Sequence, residues 1–143
     1  MDATRCSHVR PPVRSRYAIP RSASEARRLI ENLVRAQFPA HREAGPAAET
    51  VTDMLLVTSE LVTNAIRHGG GVVGLWARLD ADGLRLAVRD RSDDLPFVRA
   101  RTPGDPVPIG GYGWPMVRRL ASEVRVTPCP GGGKEIRVVL PVT

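Results

Sequence analysis

Glu60 and Asn64 lie four positions apart in Ser59-Glu60-Leu61-Val62-Thr63-Asn64-Ala65-Ile66-Arg67-His68-Gly69-Gly70, a stretch with helical periodicity. That spacing sets a carboxylate and a carboxamide one turn apart on one helix face. Counting ~100° per residue from Glu60, the residues Asp53, Asn64 and Arg67 all fall within ~40° of it. Val51, Met54, Leu55, Thr58, Leu61, Val62, Ala65 and Ile66 spread over the opposite side. Leu56 and Val57 flank the polar stripe where a solvated face would carry charge, which marks the stripe as the floor of a pocket. A carboxamide oxygen is a hard, neutral ligand for Mg2+, whose octahedral shell water and phosphate oxygens complete. The carboxylate is then left to act as a base toward a hydroxyl or water attacking a terminal phosphate. Taken alone, a Glu and an Asn four apart are more often a polar pair on a solvated helix, so the reading depends on what lies downstream.

Two further segments carry chemistry. Leu84-Arg85-Leu86-Ala87-Val88-Arg89-Asp90 alternates apolar and polar residues as a half-buried strand does, and runs into Asp90-Arg91-Ser92 with Pro96 beyond. An aspartate just past a strand end can accept a hydrogen bond from an exocyclic amine, or simply form an Asp-Ser turn. In Gly110-Gly111-Tyr112-Gly113-Trp114-Pro115-Met116-Val117-Arg118-Arg119-Leu120-Ala121, glycines lead into a short helix with Pro115 at its first position. Glycines let a backbone approach phosphate oxygens, and a helix N-terminus offers free amides.

Order and spacing join these signals: Glu-Leu-Val-x-Asn-Ala-x-x-His-Gly on a long helix, a strand ending in Asp-x-Ser-x-x-x-Pro, Gly-x-Gly opening a helix, and Gly133-Lys134 opening a last strand that closes at Leu140-Pro141. The set resembles the GHKL ATPase superfamily with its Bergerat nucleotide-binding fold, and within it the small stand-alone ATP-binding proteins related to bacterial anti-sigma-factor serine kinases. The resemblance covers residues 17–141. It implies ATP and Mg2+ as cofactors, Glu60 as general base and Asn64 as the magnesium ligand. It also implies Asp90 as the reader of the adenine amino group, with Ser92 beside it where relatives have a small residue. Gly111 and Gly113 match the phosphate-loop glycines, and Lys134 matches, more loosely, a residue near the nucleotide. The resemblance further implies that the protein sequesters a sigma factor and phosphorylates a serine on an anti-anti-sigma antagonist.

The chain departs from that pattern at the phosphate loop. Trp114 replaces a small aliphatic residue and reads as a hydrophobic anchor, and Pro115 removes an amide donor where phosphates dock. Ser122-Glu123-Val124-Arg125-Val126 stands in place of a tryptophan-glycine pair. The alternative therefore stays open: a nucleotide-dependent module that switches partners without transferring phosphate.

The elements that must position these residues follow from local signals. Arg16 to Ile19 reads as a first strand, and Ser22-Ala23-Ser24-Glu25 as a capping box opening a helix that stops near Phe38-Pro39. Pro46 is expected in the first turn of the long helix, which ends at Gly69-Gly70-Gly71. Val72 to Leu79 and Leu84 to Asp90 form a hairpin around Asp80-Ala81-Asp82-Gly83, and residues 91–113 form a lid. A short helix follows from Pro115 to Ala121, and Val124 to Thr127 pairs with Lys134 to Leu140 in a last hairpin. The fold class is an α/β (α+β) two-layer sandwich: a mixed, largely antiparallel sheet with helices on one face.

With 143 residues the chain suits one domain, expected over residues 17–143. Cys6, Cys129 and the three histidines form no metal-ligand spacing, and His68 suits the dipole at the end of the long helix. No apolar run reaches the ~20 residues of a membrane span and no signal-peptide segment is evident, so a cytoplasmic protein without membrane contacts is expected. Residues 1–28 hold seven arginines against Asp2 and Glu25, a net of +5 out of the total of +6. Residues 1–16 are expected to be a disordered basic arm, either solvated or meeting an acidic partner. Direct nucleic-acid binding is disfavoured because no aromatic platform or recognition helix is evident, and homodimerisation is left open.

Overall fold

Ser22 and Glu25 fix the start of helix α1 (Ala23–Gln37): the Ser22 hydroxyl accepts a hydrogen bond from the Glu25 N–H at 3.1 Å, and the Glu25 carboxylate accepts one from the Arg21 N–H at 2.9 Å. The first bond satisfies a donor that the first turn leaves without a helical partner, and the second ties the residue before the N-cap to the same turn. The computed structural model describes residues 13–38, 45–94 and 113–142. Around α1 it places β1 (Arg14–Ala18), α2 (Ala48–His68), β2 (Val72–Asp80), β3 (Gly83–Asp90), α3 (Gly113–Leu120), β4 (Glu123–Pro128) and β5 (Lys134–Pro141). β1 begins at Arg14, so residues 14–16, expected in the arm, instead pair with β2 opposite Leu79, Arg78 and Ala77. Residues 1–12 of that arm and 95–112 of the expected lid lie outside the described residues.

The strands form one sheet in the order β1-β2-β3-β5-β4. Every pairing is antiparallel, which corrects the expectation of a mixed sheet. The reason is local: β3 and β4 run the same way, but β5 folds back from β4 through a hairpin and lies between them, so no parallel neighbours form. At the β2–β3 turn, Asp80 Oδ1 accepts from the N–H groups of Asp82 and Gly83 at 2.8 and 3.2 Å, an Asx turn that sets the hairpin register. The architecture is an α+β sandwich with three helices among the described residues.

Alternation gives the helix-facing side of the sheet its composition. Leu79, Leu84 and Leu140 form one cross-strand row, Ala77, Leu86 and Val138 the next, and Leu75, Val88 and Ile136 the third. All are buried against Ala26, Ile30 and Leu33 of α1 and Met54, Val57, Leu61, Val62 and Ala65 of α2. Removing each leucine side chain from water stabilises the fold by ~1.5–3 kcal/mol. The buried face of α2 sits nearer Val57 than its periodicity implied: Ile66, at the margin of the expected core face, is 42% exposed, while Val57 is fully buried. Pro46 precedes α2 rather than entering its first turn, since Ala47 is the N-cap. Thr58, the buried polar residue on the core side of α2, donates its hydroxyl to the Met54 carbonyl at 2.7 Å.

Candidate functional site

The third β3–β5 row is followed by a fourth of opposite character, Asp90 facing Lys134. Both residues are buried, and Lys134 Nζ lies 2.9 Å from Asp90 Oδ2 and 3.1 Å from Oδ1. The Ser92 N–H donates to Asp90 Oδ1 at 2.9 Å. A carboxylate has roughly four acceptor positions, so capacity for one more donor remains on Asp90. Lys134 also donates to the Ser92 carbonyl at 3.5 Å, and the Gly133 N–H donates to Asp93 Oδ1 at 2.8 Å. These bonds fasten residues 91–94 to the β4–β5 turn.

Two glycines hold Asp90 from either side. A Cβ at Gly69, the C-cap of α2, would stand 2.5 Å from Asp90 Oδ2, and Gly69 O accepts from the Arg91 N–H at 2.8 Å. Gly69 has φ −105, so it is close approach and not a left-handed conformation that demands glycine here. Gly133 needs glycine on both counts, with φ +84 and its missing Cβ replaced by the Asp90 carbonyl. The sequence showed these two only as a helix end and a turn. Asp93 was not singled out at all; its signal was its place one residue after the Asp-x-Ser turn.

At the other end of the site, Glu60 and Asn64 are half-buried on α2, one turn apart. Val57 on one flank is buried, while Leu56 on the other is 43% exposed, so the stripe is walled by the core on one side only. Gly113 is buried directly against Glu60, where any Cβ would run into the carboxylate. α3 is held there by Val117, fully buried, and by Trp114, half-buried against the core as an anchor. Pro115 is the third residue of α3 rather than the first, still within the turn whose N–H groups have no helical acceptor. Gly111 lies outside the described residues.

Asp90, Ser92 and Lys134 thus form one polar cluster, and Glu60 and Gly113 a second. α2 links them, because Gly69 touches the first cluster and Glu60 the second. The nine steps from Glu60 to Gly69 span ~13 Å along the axis, with Asn64 between the two ends. An acceptor for a base at one end and a carboxylate with a glycine-fronted helix at the other suit a nucleoside triphosphate laid along α2. A magnesium ion fits the donor chemistry in that Asn64, half-buried on α2, carries one hard carboxamide oxygen of the kind that ion accepts. His68, in the last turn of α2, is exposed, and Cys129 is a free thiol in the β4–β5 turn.

No described helix is long and apolar enough to cross a membrane. No curated protein matches the chain. A family model described as a histidine kinase-like ATPase domain matches residues 18–140. That span runs from the last residue of β1 to within β5, taking in both polar clusters and the helix that joins them. Such GHKL-type domains bind ATP, usually with Mg2+. On that match, and with an α+β sheet and helices to accommodate it, the chain belongs to the histidine kinase-like ATPase domain family.

Proposed function

We propose that this protein is an ATP-dependent regulatory serine kinase of the anti-sigma type, acting on an anti-anti-sigma antagonist. The observation that carries the reading is the placement of Glu60: half-buried, one turn from Asn64, and fronted by Gly113 with no side chain between. Asp90 and Ser92 receive the adenine, Lys134 holds Asp90 in place, and Gly111 and Gly113 border the phosphates. Asn64 would hold Mg2+, which when bound would supply neutralisation of phosphate charge. Glu60 takes the proton of the attacking serine hydroxyl as the serine oxygen–phosphorus bond forms. The bond between the γ-phosphorus and the β–γ bridging oxygen breaks, and ADP leaves.

The test is calorimetry with Asn64→Ala. The variant should lose most of its ATP affinity in Mg2+ and little in chelator, because only the metal-bridged contact disappears. Equal losses in both conditions would remove Asn64 as the ligand. Gly113→Ala should push the Glu60 carboxylate off its position and lower phosphoryl transfer by ~10²-fold, a typical result of a 1 Å misplacement. Its helical content by circular dichroism should match wild type; transfer at the normal rate would show that the close approach of Gly113 has no catalytic role.

One observation favours a second reading, a nucleotide-dependent partner switch without phosphoryl transfer. Pro115 lacks an N–H in the first turn of α3, next to a Trp114 committed to the core, so this helix offers phosphate one donor fewer. Tight ATP binding with no phosphoserine on a demonstrably bound antagonist would select that reading.

A further inference from the structure

The sheet face turned away from α1 and α2 is rich in arginine. Alternation sets Arg78 of β2, Arg85 and Arg89 of β3, Arg137 of β5 and Arg125 of β4 on it, along a groove of about 590 Å³. Two directly opposed cross-strand pairs carry like charge, Arg78 with Arg85 and Arg125 with Arg137. Such pairs destabilise a sheet, and this face holds two of them. Glu123 offsets Arg125 at 2.6 Å and Glu135 offsets Arg137 at 3.3 Å. Arg78, Arg85 and Arg89 have no carboxylate partner among the described residues. The Arg89 Nε atom is buried and has no hydrogen-bond partner among the described residues. A carboxylate or phosphate oxygen is the acceptor that the accessible N–H groups of a guanidinium best accommodate.

Trp76 decides which anion. Its ring has the Arg89 guanidinium over it, 5.5 Å from the centroid, and Tyr17 tilted against it at 4.9 Å. On its own strand it overhangs Gly74, where a Cβ would meet the indole at 2.8 Å. An aromatic pair therefore exists, but Arg89 lies over the Trp76 ring and Tyr17 tilts against it, so Trp76 is only 38% exposed and gives a nucleobase a restricted surface on which to stack. Glu123 and Glu135 in the same groove would repel an unbroken run of phosphates, whereas carboxylates on a polypeptide can be spaced to avoid them. A polypeptide suits the face better: spaced carboxylates can reach the free arginines while apolar side chains settle on Ala87, Val139 and the exposed edge of Trp76. A second copy of this chain would set arginine against arginine.

We infer that the open sheet face docks an acidic segment of a partner protein, with carboxylates on Arg78, Arg85 and Arg89. The face shares no residue with the nucleotide site, so this inference stands or falls independently of the kinase reading.

The experiment uses the full chain and a short fluorescein-labelled peptide of alternating glutamate and leucine, read by anisotropy. Alternating lysine and leucine, and oligo(dT), serve as comparison probes. The glutamate peptide should bind, and Arg85→Glu should weaken it about tenfold or more. Arg28→Glu, the same charge reversal on the exposed side of α1, should leave binding unchanged. Arg85→Glu should also raise the melting temperature by roughly 1–4 °C, because it turns the like-charged pair with Arg78 into an opposite-charged one. Arg85→Thr, which removes the charge and keeps strand propensity, should move both readings the same way by less. The inference is overturned if the glutamate peptide fails to bind, or if Arg28→Glu weakens it as much as Arg85→Glu. It is also overturned if oligo(dT) binds more tightly and displaces the peptide, or if sedimentation shows a dimer that Arg85→Glu dissolves.

Discussion

Glu60→Gln will keep ATP and Mg2+ binding near the wild-type level and lower phosphoryl transfer by about 10²- to 10⁴-fold, the usual contribution of a general base. Glutamine preserves the shape of the side chain, so the contact with Gly113 survives. What it loses is the ability to take a proton from the attacking hydroxyl. Calorimetry measures the first quantity; labelled ATP with the antagonist that the proposed kinase reading calls for measures the second. Transfer at the wild-type rate would remove Glu60 as the base, and a parallel loss of ATP binding would recast it as a binding residue.

Lys134→Met will destabilise the domain by ~3–5 kcal/mol, because it leaves the buried Asp90 carboxylate without its ammonium partner. The melting temperature should fall by on the order of 10 °C. Adding Asp90→Asn removes the lone charge, so the double variant should recover most of the loss, and a double-mutant cycle will show strong coupling between the two positions. Nucleotide separates their roles. ATP at ~100 times its dissociation constant should restore ~2.7 kcal/mol to Lys134→Met, which keeps the acceptor for adenine. It should do much less for the double variant, where the carboxamide puts an NH2 donor in place of one of the two acceptor oxygens. A loss below ~1 kcal/mol in Lys134→Met, the range typical of exposed pairs, would show that water reaches Asp90 and that the pair has little structural weight.

Much of this was legible in the sequence wherever the governing pattern is local. The period of α2, the Ser22-Glu25 cap, the alternation through Leu84 to Asp90 and the Asp80–Gly83 turn each depend on residues within a few positions of one another. They gave the elements to within a few residues and the two-layer architecture. The choice between a mixed and an antiparallel sheet depends on which strand lies between β3 and β4, and no local period records that. Ile66 departs from its expected face for a related reason: residues at the margin of an apolar arc face whatever the neighbouring element leaves uncovered. Asp90 and Lys134 were both singled out, but their ion pair depends on the β3–β5 register. Gly69 read as a helix end because its real constraint, the Asp90 side chain, comes from another strand. The aromatic pair of Tyr17 and Trp76 was invisible for the same reason.

The strand order has a consequence in time. β5 is the last of the five strands to leave the ribosome, yet it takes an interior place, between β3 and β4. Until residue 134 has been made, β3 presents an unpaired edge, β4 has no strand to join, and Asp90 waits for its ammonium. A nascent chain carrying both helices and the first hairpin is thus a half-sheet with an open apolar border, the kind of species that invites wrong pairing. Closure by β5 completes the sheet and the Asp90–Lys134 pair in one event. Newly made protein should therefore acquire nucleotide binding and protease resistance together, and a chaperone that recognises exposed strand edges has its opportunity only before that moment.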